Sequence, residues 1–165
     1  MSLKIYFLRH GETVYSETGA YCGEVDAELT PEGAQMAKAF ADAYRSIPWT
    51  AVYVSPMKRT IATAKPLCDA LGLEIQLRDG LKEIRYGKWE DKSADFVKQH
   101  YWDDYIRWLA EPAWNPPIDL GRYRDRIDML ACAVSIVKFD VHGPLLQVLG
   151  DRSYMGGALS GRSGT

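Results

Sequence analysis

In Lys4-Ile5-Tyr6-Phe7-Leu8-Arg9-His10-Gly11-Glu12-Thr13 an apolar run ends abruptly in Arg-His-Gly. Ile5-Tyr6-Phe7-Leu8 has no helical spacing and suits a strand covered on both faces. Such a strand delivers a guanidinium and an imidazole to the open edge of a sheet, where ligand groups gather in open α/β folds. The polar stretch that follows, with Gly11, Gly19 and Gly23, reads as an irregular loop over the carboxyl end of the strand.

Outward from that edge, Thr30 can cap a helix whose first position is Pro31. Met36, Ala37, Phe40, Ala41 and Tyr44 recur at helical spacing, and the helix stops before Pro48. Ala51-Val52-Tyr53-Val54 repeats the pattern of the first strand, and Ser55-Pro56 opens a second helix as Thr30-Pro31 does. Ile61, Ala64, Cys68 and Leu71 mark its buried face, Pro66 bends it, and Gly72 closes it. Glu74-Ile75-Gln76-Leu77 alternates like an edge strand. Strand, loop, helix, strand, helix, strand favours a parallel sheet with helices on its faces. Ser93 to Leu109 reads as one aromatic-rich helix, core or lid rather than a binding box, with His100 as a surface or packing residue. Trp114-Asn115-Pro116-Pro117 breaks the chain. Ala133 to Phe139 and Leu145 to Leu149 form a hairpin with His142 in its turn. The expected organisation is a single domain over residues 1–155 and a flexible, glycine- and serine-rich tail over 156–165.

The totals bound the function. A chain of 165 residues supports one domain with a substantial core. A formal net charge of −2 lacks the excess of basic residues that a nucleic-acid binder needs. Three widely spaced cysteines without a CxxC or His-rich companion argue against a disulfide framework or a zinc site. No run reaches membrane-spanning length and the N-terminus does not resemble a leader, so the expectation is a cytoplasmic protein with no membrane partner.

The chemistry concentrates where two strands end. Arg9 and Arg59 can each offer a fork of donors to a phosphate, and a neutral imidazole at His10 is both a nucleophile and a good leaving group on phosphorus. Gly11 lets backbone approach closely. Glu83, after the third strand, is placed to give a proton to a leaving oxygen, with Glu90 and Asp91 close by in sequence.

Leu8-Arg9-His10-Gly11-Glu12-Thr13, Cys22-Gly23 with Asp26, Leu29-Thr30-Pro31-Glu32-Gly33, Ser55-Pro56-Met57-Lys58-Arg59-Thr60 with Thr63-Ala64, and Leu81, Glu83 and Gly87-Lys88-Trp89-Glu90 together resemble the histidine phosphatase superfamily. That group includes phosphoglycerate mutases and many small phosphatases. The resemblance implies a three-layer α/β sandwich with a mostly parallel central sheet flanked by helices. It implies a phosphatase that hydrolyses a small phosphomonoester metabolite through a phosphohistidine on His10. Arg9 and Arg59 would hold the phosphoryl oxygens and Glu83 would be the acid and then the base. Gly11, Ser16, Cys22, Gly23 and Tyr86 would border the substrate, with no metal or diffusible cofactor. Phosphoglycerate mutase-type transfer and an impaired relative that binds phosphate or a protein partner are the alternatives.

The pattern breaks after Pro117. Family members carry a further loop, helix and strand there, ending in a second catalytic histidine, whereas Pro116-Pro117 is followed at once by Ile118-Asp119-Leu120-Gly121. One strand-helix segment is therefore expected to be absent, leaving apolar surface that the hairpin, a second chain in a homodimer, or residues missing from the given chain would cover. His142 is rejected as a substitute, because no long apolar strand ends at it.

Overall fold

A computed structural model of the chain describes residues 2–110 and 130–161. The break at Trp114–Pro117 and the gap after it lie outside the described residues, as do positions 162–165 of the tail. The first strand, β1, spans Leu3–Leu8 as the apolar run demands. The loop after it is not wholly irregular: Val14–Thr18 forms a short helix, α1, capped by Thr13. Thr30 caps α2 (Pro31–Tyr44), its hydroxyl accepting the Gly33 N–H at 3.0 Å.

The second strand, β2 (Val52–Val54), leads to α3 (Lys58–Leu71), which begins two residues after Ser55-Pro56 rather than at them. Met57 gives α3 no side-chain cap. Instead the Asp26 carboxylate, 32 residues earlier, accepts the Lys58 N–H at 2.7 Å. The next strand, β3 (Ile75–Leu77), runs parallel to β2. The aromatic stretch divides at Tyr101, whose φ of −135° and ψ of 38° interrupt the helical path. It gives α4 (Ala94–His100) and α5 (Trp102–Ala110) instead of one helix.

The C-terminal hairpin forms as its alternation requires, with β4 over Val134–Asp140 and β5 over Gly143–Asp151. The tail begins with one further helical turn, α6 (Gly157–Ser160), held where Arg152 Nη2 donates to the Leu159 carbonyl at 2.9 Å.

An α/β fold is present, but the pairing corrects the expectation of a mostly parallel central sheet. The larger sheet has the order β1-β4-β5 and is antiparallel throughout, while β2 and β3 form a separate parallel pair. Among the described residues no strand joins β1 to β2. The neighbour of β1 is β4, with Leu8 opposite Val134 and Leu3 opposite Phe139.

Two packed layers position the site. Phe40 and Ala41 of α2, Leu67 of α3 and Val134 of β4 form a buried cluster against Tyr6, Leu8 and Ile136. Burying each large apolar side chain there contributes about 1.5–3 kcal/mol. Val54, Ala64 and Cys68 fix α3 on the β2–β3 pair. A third cluster of Trp89, Val97 and Trp108 is wrapped by Tyr21, Tyr86, Tyr101 and Tyr105, so one face of the aromatic stretch is core, while Phe96, Trp102 and Ile106 are exposed. Phe7, Leu145, Leu146 and Leu149 are half exposed. No described helix is long and apolar enough to cross a membrane.

Candidate active site

The end of β1 is held from three sides. From β4's approach, the Arg9 N–H donates to the Ala133 carbonyl at 3.2 Å, and the Cys132 N–H donates to the His10 carbonyl at 3.0 Å. Ala131, Cys132 and Ala133 are completely buried, so this anchor is rigid, and burial pushes the Cys132 thiol up to about 12. From α3, the Thr63 hydroxyl accepts the Gly11 N–H at 2.9 Å and donates to the Arg59 carbonyl at 2.7 Å. From α2, Gly33 closes on Gly11: a Cβ on Gly11 would sit 2.5 Å from the Gly33 carbonyl oxygen. The freedom of Gly11 thus serves packing against the start of α2, and its N–H is spent on Thr63.

His10 is partly buried. Its Nδ1 lies 2.7 Å from the Gly11 carbonyl oxygen, which assigns the proton to Nδ1 and leaves the Nε2 lone pair free. Burial, followed by the charges of Arg9 and Arg59, lowers its pKa from the ordinary 6.5 to about 4, against the opposing pull of the Gly11 bond. The ring is therefore neutral at physiological pH and lies within the field of both guanidinium groups.

Arg59 is 2 % exposed and is aimed by the turn after α1. Its Nη1 donates to the Val25 carbonyl and its Nη2 to the Gly23 carbonyl, each at 2.9 Å. Two of the five guanidinium donors are used in this way, and the Nε–H is buried without a partner. Gly23 has φ +53°, a left-handed conformation suited to glycine, and is buried. Cys22 is half-buried and its Sγ donates to the Val25 carbonyl at 3.3 Å. Burial raises the thiol pKa; Arg59 opposes that shift, while Glu83 and Glu90 add to it.

Glu83 is exposed, and its Oε1 accepts the neighbouring Ile84 N–H at 3.1 Å. Tyr86 is half-buried, its ring centroid 4.9 Å from that of Tyr21. The Ser16 hydroxyl accepts the Thr13 N–H at 2.8 Å and donates to the Thr13 carbonyl at 3.1 Å, completing the cap of α1. His142 sits in the β4–β5 turn with its backbone N–H on Asp140, beyond the Leu3 end of the sheet and roughly 20 Å from the Leu8 end. His100 is exposed and stacked on Phe96 with centroids 4.0 Å apart.

The chemistry this arrangement allows is attack by the neutral His10 imidazole through Nε2, within the field of two guanidinium charges. Sequence reasoning missed the work of Thr63 and of Ala133 and Cys132. Thr63 had a local signal, one helical turn beyond Arg59 on α3; the other two are joined to β1 only by folding.

A family model described as histidine phosphatase superfamily (branch 1) matches residues 5–130. Phosphoserine phosphatase 1 of Hydrogenobacter thermophilus is 33% identical over 110 residues, which are 67% of this chain and 52% of that protein. A 2,3-bisphosphoglycerate-dependent phosphoglycerate mutase of Bifidobacterium longum is 29% identical over 123 residues, 71% of this chain and 50% of that protein. The chain spans about half the length of the curated relatives it matches. Among solved structures, Bacillus stearothermophilus YhfR superposes with a TM-score of 0.81 at 20% identity, covering 92% of this chain and 98% of that one.

Proposed function

The chain belongs to the histidine phosphatase superfamily, and from that premise we propose that it hydrolyses small phosphomonoesters through a phosphohistidine on His10. The observation that carries the reading is the His10 ring: Nδ1 is tied to the Gly11 carbonyl oxygen and Nε2 is left as a neutral nucleophile in the field of Arg9 and Arg59. In the first step Nε2 forms a bond to phosphorus while the ester P–O bond breaks. Glu83 as a carboxylic acid gives its proton to the leaving oxygen. In the second step the Glu83 carboxylate takes a proton from water, the water oxygen bonds to phosphorus, and the N–P bond breaks to release inorganic phosphate and neutral His10. Arg9 and Arg59 hold the phosphoryl oxygens in both steps, supplying charge where it develops. Tyr86, packed beside Tyr21 on the aromatic cluster, would border the substrate.

Turnover is slow in this reading, because the chain has three histidines and the two besides His10 lie in the β4–β5 turn and on α4. No second imidazole is then available to steady the transferred group, and full turnover on His10 alone would contradict this part of the account. The test is hydrolysis of an aryl phosphate by the native chain and by His10→Ala. Release of phosphate abolished in the variant supports the nucleophile; equal rates in both refute it. Phosphoserine, the substrate in the name of the Hydrogenobacter relative, is the first metabolite to try, and release rather than relocation of phosphate from phosphoglycerate separates hydrolysis from mutase chemistry.

A further inference from the structure

Glu90 has no part in the two chemical steps, yet it touches both segments that carry them. Its Oε1 accepts the Tyr86 N–H at 3.1 Å and the Glu24 N–H at 3.2 Å. The first bond holds the segment that bears Glu83 and Tyr86. The second holds the turn whose Gly23 and Val25 carbonyls aim the Arg59 guanidinium. Gly23 is the residue that makes this approach possible, since a Cβ there would overlap the Glu90 carboxylate. Glu90 is itself fixed from behind, because its N–H closes a turn on the Gly87 carbonyl at 3.1 Å and the preceding Trp89 is wholly buried. Backbone bonds from Asp91 to the Tyr21 carbonyl at 2.9 Å and from Tyr21 to the Lys92 carbonyl at 3.0 Å continue the same seam. Two further side-chain bridges cross it, Arg85 to Glu24 at 2.9 Å and the Tyr15 hydroxyl to the Asp91 carboxylate at 3.0 Å, and both are solvent-exposed and screened.

Resting on the phosphatase reading, we propose that Glu90 is a positioning residue: one carboxylate oxygen clamps the Arg59-aiming turn to the Glu83-bearing segment, setting phosphate holder and proton donor relative to each other. The clamp acts through its acceptor oxygen, so a glutamine can replace it and an alanine cannot.

The experiment compares the native chain with Glu90→Ala, Glu90→Gln and His10→Ala. It measures kcat and KM on an aryl phosphate per folded molecule, orthovanadate binding by tryptophan fluorescence, and thermal melting. Glu90→Ala is expected to lose about 10- to 100-fold in kcat/KM, the scale of an ångström-sized misplacement, and to bind orthovanadate more weakly. Glu90→Gln is expected to stay within about threefold of the native chain, because both N–H groups keep an acceptor. Native kinetics and binding in Glu90→Ala overturn the proposal, as does a loss fully explained by unfolded protein. Equal losses in the alanine and glutamine variants overturn it too, since they would point to charge rather than to the clamp. If the native chain and His10→Ala turn over equally, the phosphatase reading has failed. Orthovanadate binding then decides the clamp: weakened in Glu90→Ala but not in Glu90→Gln supports it, and unchanged in both refutes it.

Discussion

Replacing Thr63 by valine removes one hydroxyl and keeps the shape of the side chain. Thr63 is 2 % exposed and its Oγ1 is the acceptor for the Gly11 N–H at 2.9 Å, so no water replaces it in the variant. The Arg59 carbonyl keeps its helical bond, and valine and threonine have similar helix propensity, so the change isolates one buried donor. A buried donor left without a partner costs about 1–3 kcal/mol. Over a chain of this size each kcal/mol lowers Tm by about 2–4 °C, so Thr63→Val should melt roughly 5 °C below the native protein. The same hydroxyl fixes Gly11 relative to Arg59, so kcat/KM on an aryl phosphate should fall about 10- to 100-fold per folded molecule. Thr63→Ser keeps the bridge while losing a buried methyl; it should lose about 1 kcal/mol of stability yet keep its turnover. Thermal melting, urea denaturation and steady-state kinetics on the three proteins give these readouts. A Thr63→Val protein as stable and as active as the native one would refute the reasoning.

Three further expectations follow from the structure. The His10 ring should titrate near pH 4 in an NMR experiment, so that it is still neutral at pH 5.5; a midpoint of 6 to 7 contradicts the burial described. Because this folded value lies below the unfolded one, the unfolded chain binds the extra proton between about pH 4 and 6.5. The stability contributed by neutral His10 is complete above that window and falls as pH drops through it, which denaturation at graded pH measures. Ser16→Ala removes both hydrogen bonds of the Ser16 hydroxyl, while the Thr13 hydroxyl still accepts the N–H at position 16, and should cost about 1 kcal/mol in urea denaturation.

What was legible in the sequence was mostly local. The β1 run, the Thr30–Pro31 start of α2 and the Asp140–Gly143 turn between β4 and β5 each carry their signal within a few residues. Helix α1 escaped notice because its capping box pairs Thr13 with Ser16 instead of the usual acidic or amide residue, in a stretch punctuated by glycine. The start of α3 was misplaced because its acceptor, Asp26, comes from a distant loop. The antiparallel pairing of β1 with β4 joins segments more than a hundred residues apart, and nothing in either run states its partner. In the site, residue types pointed to His10, Arg9, Arg59 and Glu83, while the aim of Arg59 depends on the Gly23 and Val25 carbonyls, which any sequence would supply. Ser16 shows the converse, a residue with a plausible hydroxyl whose proton is already committed to a helix cap.

The central claim is that the His10 Nε2 takes the phosphoryl group. The most direct test is to mix the chain with an aryl phosphate, quench in alkaline denaturant, where phosphohistidine survives, and map the modified peptide by mass spectrometry. One phosphoryl group on the peptide containing His10, absent in His10→Ala and discharged on standing with water, is the predicted result. Hydrolysis that proceeds with no phosphoryl group on His10 at any time would contradict the account.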